Sequence, residues 1–575
     1  MIAYRLAIVK RICTFFGEPW MSLHRPTPRM EPDPKLLAFV NERSDVPAAV
    51  RERAAFFVFF AQTIYPKLEE QRSALDALYS PTQGRPADDP VCLLGVLLLQ
   101  FVERLPDRQA AEAVCYDTRW RLALHLPDTE GGFDPSLLPR FRQRLLTGQQ
   151  ERLAFDAILQ LLVDHGWLPR RSRQRLDSTH VCGLLSAMSR LGCVRETLRL
   201  ALEELERHGP LPEFCSPLWE RYVESKLDSR ISMEVVKAKT QEAGKDAQML
   251  LAWSRQQGPA IDERPQMQLL ARVFVENFEL DEPGACSVTR AQPAGAVHNP
   301  HEPEAQWCSK STTRDKSWIG YKTQVAETVQ EEPRAPGEPT RSIITAVITQ
   351  NATESDPSGM AQVFREQAEQ GLETPDVLYV DGAYVSAEGL HEAQTHGREL
   401  LGPARPSPKF DRVLPVDQFD VHVEDRKAVC PAGQTNSQCS RIQEDKAGNT
   451  IYRMEWNKAI CQVCPLRSQC LGNQQTHRTI EVGQWHSLLQ ARRREMQTEA
   501  FRQDMHHRNG IEGTQSELVR AYGLRRARYR SLAKVRLQNY FIGAACNIRR
   551  WSRRLAWEIR QGLRPAGAIM ACVAS

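Results

Sequence analysis

The segment that most constrains the fold of this chain is a short apolar run at residues 377–380. Pro375 precedes the run, and Asp381 and Gly382 follow it directly. A short apolar run with turn-forming residues at both ends is typical of a buried strand. We therefore predict a strand that delivers a single carboxylate, Asp381, to the edge of a sheet. The alternative is an ordinary turn, which an isolated Asp-Gly pair favours.

Two further carboxylates lie in segments with regular patterns. Asp177 belongs to a second strand-like run at residues 175–181. Glu512 lies between Gly510 and Gly513 in a segment of helical character. Each glycine costs a helix interior up to about 1 kcal/mol relative to Ala, so the pair indicates a close backbone approach or a helix start.

The region around Glu512 is also basic. Arg508 precedes Glu512 by four residues, so on a helix the guanidinium could orient this carboxylate or contact a phosphate. The formal net charge of +4 is weak evidence for any partner, but no acid occurs from residue 518 to residue 536. We predict that this helical, basic segment binds phosphates. Its candidate contacts are Arg520, Arg525, Arg526, Arg528, Arg530, Lys534 and Arg536.

The N-terminal part of the chain, residues 35–170, has a helical pattern. Residues 90–101 are apolar nearly all round, which predicts the buried central helix of a bundle. Residues 134–145 predict another helix with a capping signal at its start. Its basic residues are Arg140, Arg142 and Arg144. This helix suits contact with DNA, and an ordinary bundle helix with a solvated basic face fits the same spacing.

Strands and helices alternate through the middle of the chain. After the Asp177 run the pattern is helical to about residue 284, which predicts a helical insertion. The elements that follow are a hairpin at 318–328 and 342–348, a helix at 360–370, the Asp381 strand, a helix at 387–395 and a strand at 399–402. This order predicts a mixed α/β layer in which loops at strand ends gather ligands.

The chain contains fifteen cysteines, an odd number spread over 575 residues. This usage does not fit a small disulfide scaffold and predicts a reduced, cytoplasmic protein with one metal site. Residues 418–482 contain few apolar side chains and would need a staple such as tetrahedral zinc. The predicted zinc ligands are Cys430, Cys461, Cys464 and Cys470. Unligated thiols are the alternative, because the gap from Cys464 to Cys470 is long, and Cys439 could replace any of the four.

Three motifs, in this order, resemble those of the DDE transposases of bacterial insertion sequences, specifically the insertion sequence 1182 family. They are Asp-Ser-Thr-His-Val at 177–181, Tyr-Val-Asp-Gly-Ala-Tyr at 379–384, and Arg-Asn-Gly-Ile-Glu-Gly-Thr at 508–514 followed by Gly-Leu-Arg-Arg-Ala-Arg-Tyr-Arg at 523–530. The resemblance covers about residues 35–555. Met505 stands where the family has a Tyr, and Val519, with Arg520 next to it, stands where the family has a Lys.

The resemblance implies an α/β fold with an RNase H-like catalytic core, in which Asp177, Asp381 and Glu512 bind two Mg²⁺ or Mn²⁺ ions. Arg508 and Arg520 become supporting residues. Such an enzyme cleaves DNA at transposon ends and joins the ends to target DNA by two-metal phosphoryl transfer. The implied partners are double-stranded DNA, at terminal inverted repeats and in the target, and a second copy of the chain assembled on the ends.

Two other functions stay open. The chain could be a DNA-binding protein without catalysis, although the presence of all three carboxylates argues against this. It could also be a metal-dependent nuclease that cuts without joining, which the sequence does not separate from a transposase.

The sequence predicts six regions. The first is an N-terminal extension at 1–34, which contains a second possible start at Met21. The others are a helical DNA-binding domain at 35–170, an RNase H-like core at 171–417 with a helical insertion at about 183–300, a Cys-rich insertion at 418–482, catalytic and basic helices at 483–555, and a tail at 556–575. No apolar run reaches the roughly 18 residues that a membrane span requires. From the cysteine usage we expect a cytoplasmic protein, and the resemblance to DNA transposases implies that it is nucleoid-associated.

Overall fold

The computed structural model describes residues 22–23, 31–41, 45, 47–127, 131–226, 231–282, 285–309, 317–332, 334–407, 413–444, 448–472 and 474–564. Met21 and most of the predicted N-terminal extension lie outside these residues, as does the end of the predicted tail. None of the described helices is long and apolar enough to cross a membrane.

The N-terminal region packs around one apolar helix, Pro90–Glu103, as its pattern predicted. Asp89 begins this helix by accepting a hydrogen bond from the Val91 amide at 2.9 Å. The other helices here are Pro34–Asn41, Ala48–Phe59, Tyr65–Glu69, Arg72–Asp76, Asp107–Tyr116, Thr118–Ala123, Leu137–Thr147 and Leu153–Asp164, with a π-helix at Phe60–Ile64. Two short parallel strands, Ser22–Leu23 and Arg85–Pro86, pair with each other.

The middle of the chain forms a six-stranded mixed sheet. Its order is Glu399–Leu401, Val377–Tyr379, Gln174–Cys182, Ser317–Thr328, and then Ile344–Asn351 and Gln306–Ser309, which both pair with Ser317–Thr328. The first three strands are parallel to one another, and Ser317–Thr328 is antiparallel to its partners. Helices Asp356–Glu369 and Ala387–Thr395 connect the later strands. The predicted mixed α/β layer is therefore confirmed. We call Gln174–Cys182 the Asp177 strand and Val377–Tyr379 the Asp381 strand.

A helical insertion follows the Asp177 strand, as predicted. Its helices are Arg190–His208, Ser216–Trp219, Met233–Gln257, Pro259–Asp262 and Pro265–Asn277, with a 3₁₀-helix at Glu213–Cys215 and a π-helix at Glu220–Glu224. It also contains an antiparallel hairpin, Phe278–Glu282 with Ala285–Val288, that the helical pattern did not predict. Phe278 and Cys286 are buried against the helices, so this hairpin completes the separate core of the insertion.

The Cys-rich insertion is a small β unit with its own core. Asp420–His422 pairs with Lys427–Val429, and Gln438–Glu444, Thr450–Glu455 and Thr479–Gly483 form a three-stranded antiparallel sheet. Two short helices, Lys458–Gln462 and Arg467–Cys470, lie between the last two strands, and a 3₁₀-helix, Val416–Gln418, precedes the unit. Phe419, Met454 and Trp456 fill the core.

Three helices, His486–Glu495, Glu499–Tyr522 and Leu532–Arg560, complete the fold. We call Glu499–Tyr522 the Glu512 helix and Leu532–Arg560 the C-terminal helix. The expected continuation of the Glu512 helix into a basic helix is wrong, because residues 523–531 form a non-helical link. Gly523 adopts a φ of 76°, a left-handed conformation that glycine tolerates and that ends the helix. We call residues 523–531 the basic link.

Candidate catalytic site

Asp177 and Asp381 lie on neighbouring parallel strands or directly after them. Asp177 lies within the Asp177 strand, where its Oδ1 accepts a hydrogen bond from the Ser178 amide at 2.8 Å. Asp381 lies two residues past the Asp381 strand, and its Oδ1 accepts from the Ala383 amide at 2.7 Å. This turn contact leaves the carboxylate half-buried at a strand end, so Asp381 is both a turn residue and a candidate ligand.

Arg508 pairs with two of the three acids and lines a cavity with the third. Its Nη2 lies 3.3 Å from Asp177 Oδ2, and its Nη1 lies 3.8 Å from Glu512 Oε1 on the same helix. Arg508 and Asp381 also line one cavity of about 210 Å³. The Glu512 helix therefore brings its arginine to the two aspartates, although the Glu512 side chain itself is 71% exposed.

Tyr384 is a buried side chain within electrostatic reach of both aspartates. It donates a hydrogen bond to Gln324. Burial raises the pKa of Tyr384 well above its ordinary value, and the negative charges of Asp356, Asp177 and Asp381 contribute to the same shift. Because charge interactions weaken with distance, Asp177 and Asp381 both lie within electrostatic reach of this one hydroxyl group.

The donor set suits a hard divalent cation. Carboxylate oxygens are the ligands that Mg²⁺ takes in proteins. Asp177 and Glu512 already attract one cationic group, the guanidinium of Arg508, which pairs with both carboxylates. Within the described ranges, no set of three or more His, Cys, Asp or Glu side chains is preassembled for a metal ion. The carboxylate oxygens of these residues are suitable ligands for Mg²⁺, but the side chains are not yet close enough to share an ion. Metal binding would draw them together.

A second link between the Glu512 helix and the sheet was missed by the sequence reasoning. The hydroxyl of Tyr379, at the end of the Asp381 strand, donates to Asp504 Oδ1 at 2.7 Å. Arg173 Nη2 donates to the same oxygen at 2.9 Å. Asp504, Arg508 and Glu512 follow one another at intervals of four residues, and this spacing is the signal that could have found Asp504.

The basic link runs along the end of the Asp177 strand. The Cys182 amide donates to the Arg525 carbonyl, and the Ala527 amide donates to the Cys182 carbonyl, both at 2.9 Å. Arg525 Nε lies 3.4 Å from Thr179 Oγ1, two residues past Asp177. Most of the candidate phosphate contacts are exposed, namely Arg520, Arg525, Arg526, Arg530 and Lys534. Arg528 instead points inward and donates to the Leu105 carbonyl at 2.5 Å.

The three arginines of Leu137–Thr147 have different surroundings. Arg140 is exposed. Arg142 is buried, and its Nη2 lies 2.6 Å from Asp107 Oδ2. Because it pairs with Asp107 in the interior, Arg142 is not available to contact DNA, and this part of the predicted DNA-binding set is wrong. Burial raises the pKa of Asp107, but hydrogen bonds from Arg142 and Gln100 outweigh this effect and hold that pKa below its ordinary value. Arg144 lies over the ring of Tyr79, 4.5 Å from its centroid. Of the three, Arg140 has the most accessible guanidinium.

The four predicted zinc ligands lie in the same small β unit, although no three of the described His, Cys, Asp or Glu side chains there are assembled as a metal site. Burial raises the pKa of Cys470, and the neighbouring thiols Cys461, Cys430 and Cys464 contribute to the same shift. Cys430, Cys461 and Cys470 also pack against the core of the Cys-rich insertion, as does the spare thiol Cys439. The fold therefore places Cys430, Cys461 and Cys470, up to 40 residues apart in the sequence, against one core.

Two segments match known family models. Residues 429–552 match a model described as transposase DDE domain, and residues 48–144 match one described as transposase domain (DUF772). No match was found among curated proteins. The first segment contains most of the Cys-rich insertion, the Glu512 helix and the basic link, and the second contains most of the N-terminal helices. Both matches support a transposase function and the general resemblance to DDE insertion-sequence transposases.

Proposed function

We propose that this chain is a DDE transposase that cleaves DNA at the ends of its element and transfers those ends to target DNA. One observation carries the proposal: Arg508, on the Glu512 helix, contacts Asp177 and lines a cavity with Asp381. Three acids from distant parts of the chain thus border one region at the edge of a mixed sheet. We infer that this sheet is an RNase H-like core. Membership of the insertion sequence 1182 family stays a prediction.

Asp177, Asp381 and Glu512 would hold the divalent ions, Mg²⁺ or Mn²⁺. When bound, such ions activate the attacking oxygen and relieve charge on the leaving oxygen. Arg508 orients Asp177 and Glu512 by pairing with both carboxylates. The exposure of Glu512 leaves this side of the site accessible to a DNA backbone. Arg520 lies eight residues further along and is exposed, so it is a supporting contact.

The basic link would hold the transposon end. Its exposed arginines lie beside the Asp177 strand, so phosphate contacts there would place the scissile bond near the acids. Phosphate contacts position DNA without reading its bases. Base reading would then fall to the N-terminal helices, with Arg140 as the accessible candidate and Arg144 beside it. A second copy of the chain would bind the other end.

We also propose one structural zinc ion in the Cys-rich insertion, bound by Cys430, Cys461, Cys464 and Cys470. Four thiolates are a donor set that zinc prefers. The electrostatic contact of Cys470 with the other three thiols supports this set.

A strand-transfer assay tests the proposed function. A labelled duplex with the terminal repeat, taken from the DNA that flanks the gene, is incubated with Mg²⁺, a target plasmid and the protein. Wild type should release the end and join it to the plasmid, and Asp381→Asn should do neither while still binding the duplex. Asp376→Asn is the matched control, since Asp376 is exposed and pairs with Arg171 away from the acids. Cutting without joining would indicate a nuclease, and binding without cutting a DNA-binding protein.

A further inference from the structure

Glu327 is a fully buried carboxylate on Ser317–Thr328 that bonds to three other elements. Its Oε1 accepts a hydrogen bond from Arg175 Nε at 2.6 Å. Its Oε2 accepts from Arg550 Nη1 at 2.8 Å and from Thr514 Oγ1 at 2.7 Å. One side chain therefore joins the Asp177 strand, the C-terminal helix and the Glu512 helix.

Arg175 carries this connection toward Asp177. It lies two residues before Asp177 and directly opposite Glu327 in the strand register. Its Nη1 donates to the His507 carbonyl of the Glu512 helix at 2.9 Å. The guanidinium also fills the space beside Gly510, where a Cβ atom would lie 2.0 Å from Nη1. Arg175 thus sets how closely the Glu512 helix approaches the Asp177 strand.

Arg550 contacts the Glu512 helix after Glu512, on the C-terminal side of that residue. Its Nη2 donates to Thr514 Oγ1 at 2.6 Å, and its Nε donates to Glu517 Oε2 at 3.0 Å. The helix is therefore held at His507 and Gly510 before Glu512, and at Thr514 and Glu517 after it. All of these contacts converge on groups bonded to Glu327.

The network balances its charges in the interior. Arg175 and Arg550 supply two positive charges, and Glu327 and Glu517 supply two negative ones. Burial alone raises the pKa of Glu327, but the charges of Arg550 and Arg175 outweigh this effect and hold it below its ordinary value. Loss of the Glu327 charge would leave two arginines without their shared partner, which is costly in the interior. The arginines would then shift, and the strand and helix would shift with them.

We propose that Glu327 is a positioning residue that sets the spacing of Asp177 and Glu512, and with it the affinity of the site for a divalent cation. This inference rests on the proposed function. Glu327 acts through Arg175, two residues from Asp177, and through Thr514, two residues from Glu512. Groups that hydrogen-bond directly to metal ligands change metal affinity by roughly 10–100-fold when they are altered, and Glu327, which acts through neighbours of the ligands, should lie at the lower end of that range.

The test is a titration of the full-length chain with Mn²⁺ alone. Binding is measured as the decrease in the electron paramagnetic resonance signal of the free ion. Glu327→Gln removes the charge and keeps the shape. Thr514→Val removes one hydroxyl and no charge, so it keeps the test valid if Glu327→Gln folds poorly. Glu338→Gln is the matched control, because Glu338 pairs with Arg554, one turn past Arg550 on the same C-terminal helix.

We expect Glu327→Gln and Thr514→Val to weaken Mn²⁺ binding about tenfold, and Glu338→Gln to bind like wild type. Equal affinity in all four proteins, or equal weakening by Glu338→Gln, overturns the inference, as does a wild-type chain that binds no Mn²⁺. The proposed function can fail separately. If the four proteins show the expected order of Mn²⁺ affinities but the wild type cuts no transposon end, the transposase activity is refuted and the positioning role of Glu327 still holds.

Discussion

Gly510 and Gly513 should respond in opposite ways to the same substitution, although both lie in the Glu512 helix. Replacing Gly by Ala in a helix interior stabilises it by up to about 1 kcal/mol, because Ala loses less backbone entropy. At Gly513 an added Cβ would meet no atom within 4 Å, so Gly513→Ala should realise this gain.

At Gly510 the added Cβ would lie 2.0 Å from Arg175 Nη1 and 2.3 Å from its Cζ. The guanidinium has little freedom to move, since it donates to Glu327 and to the His507 carbonyl. Overpacking of an interior typically costs about 1–3 kcal/mol. The gain in helix propensity offsets up to about 1 kcal/mol of this cost, so Gly510→Ala should lower the free energy of unfolding by up to about 2 kcal/mol. The two variants should therefore differ by about 1–3 kcal/mol.

Urea denaturation of both variants and wild type measures this difference, with unfolding monitored by tryptophan fluorescence and circular dichroism. Gly510→Ala should also slow end cleavage, because it moves the Glu512 helix away from the Asp177 strand, whereas Gly513→Ala should not disturb that contact. A Gly510→Ala variant as stable as Gly513→Ala would refute the close approach of Arg175, and with it the geometry of the buried network.

Three further predictions concern other parts of the chain. Asp107→Asn should destabilise the protein by about 1.5–3 kcal/mol at pH 7 by removing the charged partner of a buried arginine. Because the folded-state pKa of Asp107 is lowered, this contribution is present above about pH 4 and declines as the pH falls further, so melting temperatures of variant and wild type should approach each other in acid. Cys461→Ser should remove one equivalent of zinc, measured by plasma emission spectroscopy, and lower the melting temperature; full retention of zinc would contradict the ligand set. Changing Arg525, Arg526 and Arg530 together to Ala should weaken binding to specific and random DNA alike and flatten the salt dependence by roughly one unit of slope for each arginine that binds a phosphate; an abolished preference for end DNA with an unchanged slope would contradict phosphate binding.

Five of the six strands of the sheet could be predicted from the sequence because they carry local signals, whereas the short strand Gln306–Ser309 was not predicted. The apolar run before Asp381 lies between Pro375 and Gly382, and the run around Asp177 is short and bounded, so each pattern belongs to one element. A close approach at Gly510 could also be inferred, because glycine is unfavourable inside a helix. The residue that approaches it, Arg175, could not be inferred. The partner lies 335 positions away in the sequence, and only the fold brings it to the helix.

The errors concern residues whose roles depend on distant partners. Arg142 has the spacing of a surface arginine, and its pairing with Asp107, 35 residues earlier, is invisible in a local pattern. The basic link has the composition of a helix, but Gly523 and the backbone hydrogen bonds to Cys182 favour an extended path along the sheet. The hairpin Phe278–Glu282 with Ala285–Val288 is too short to compete with the helical pattern around it.

The most direct test of the central proposal is a crystal structure of the chain bound to one end of its element in the presence of Mn²⁺, with the ions located by anomalous scattering. We expect an anomalous peak bound by carboxylate oxygens of Asp177, Asp381 and Glu512. A peak that excludes any one of these three residues, or Mn²⁺ bound only elsewhere in the chain, would contradict the assignment of the catalytic site.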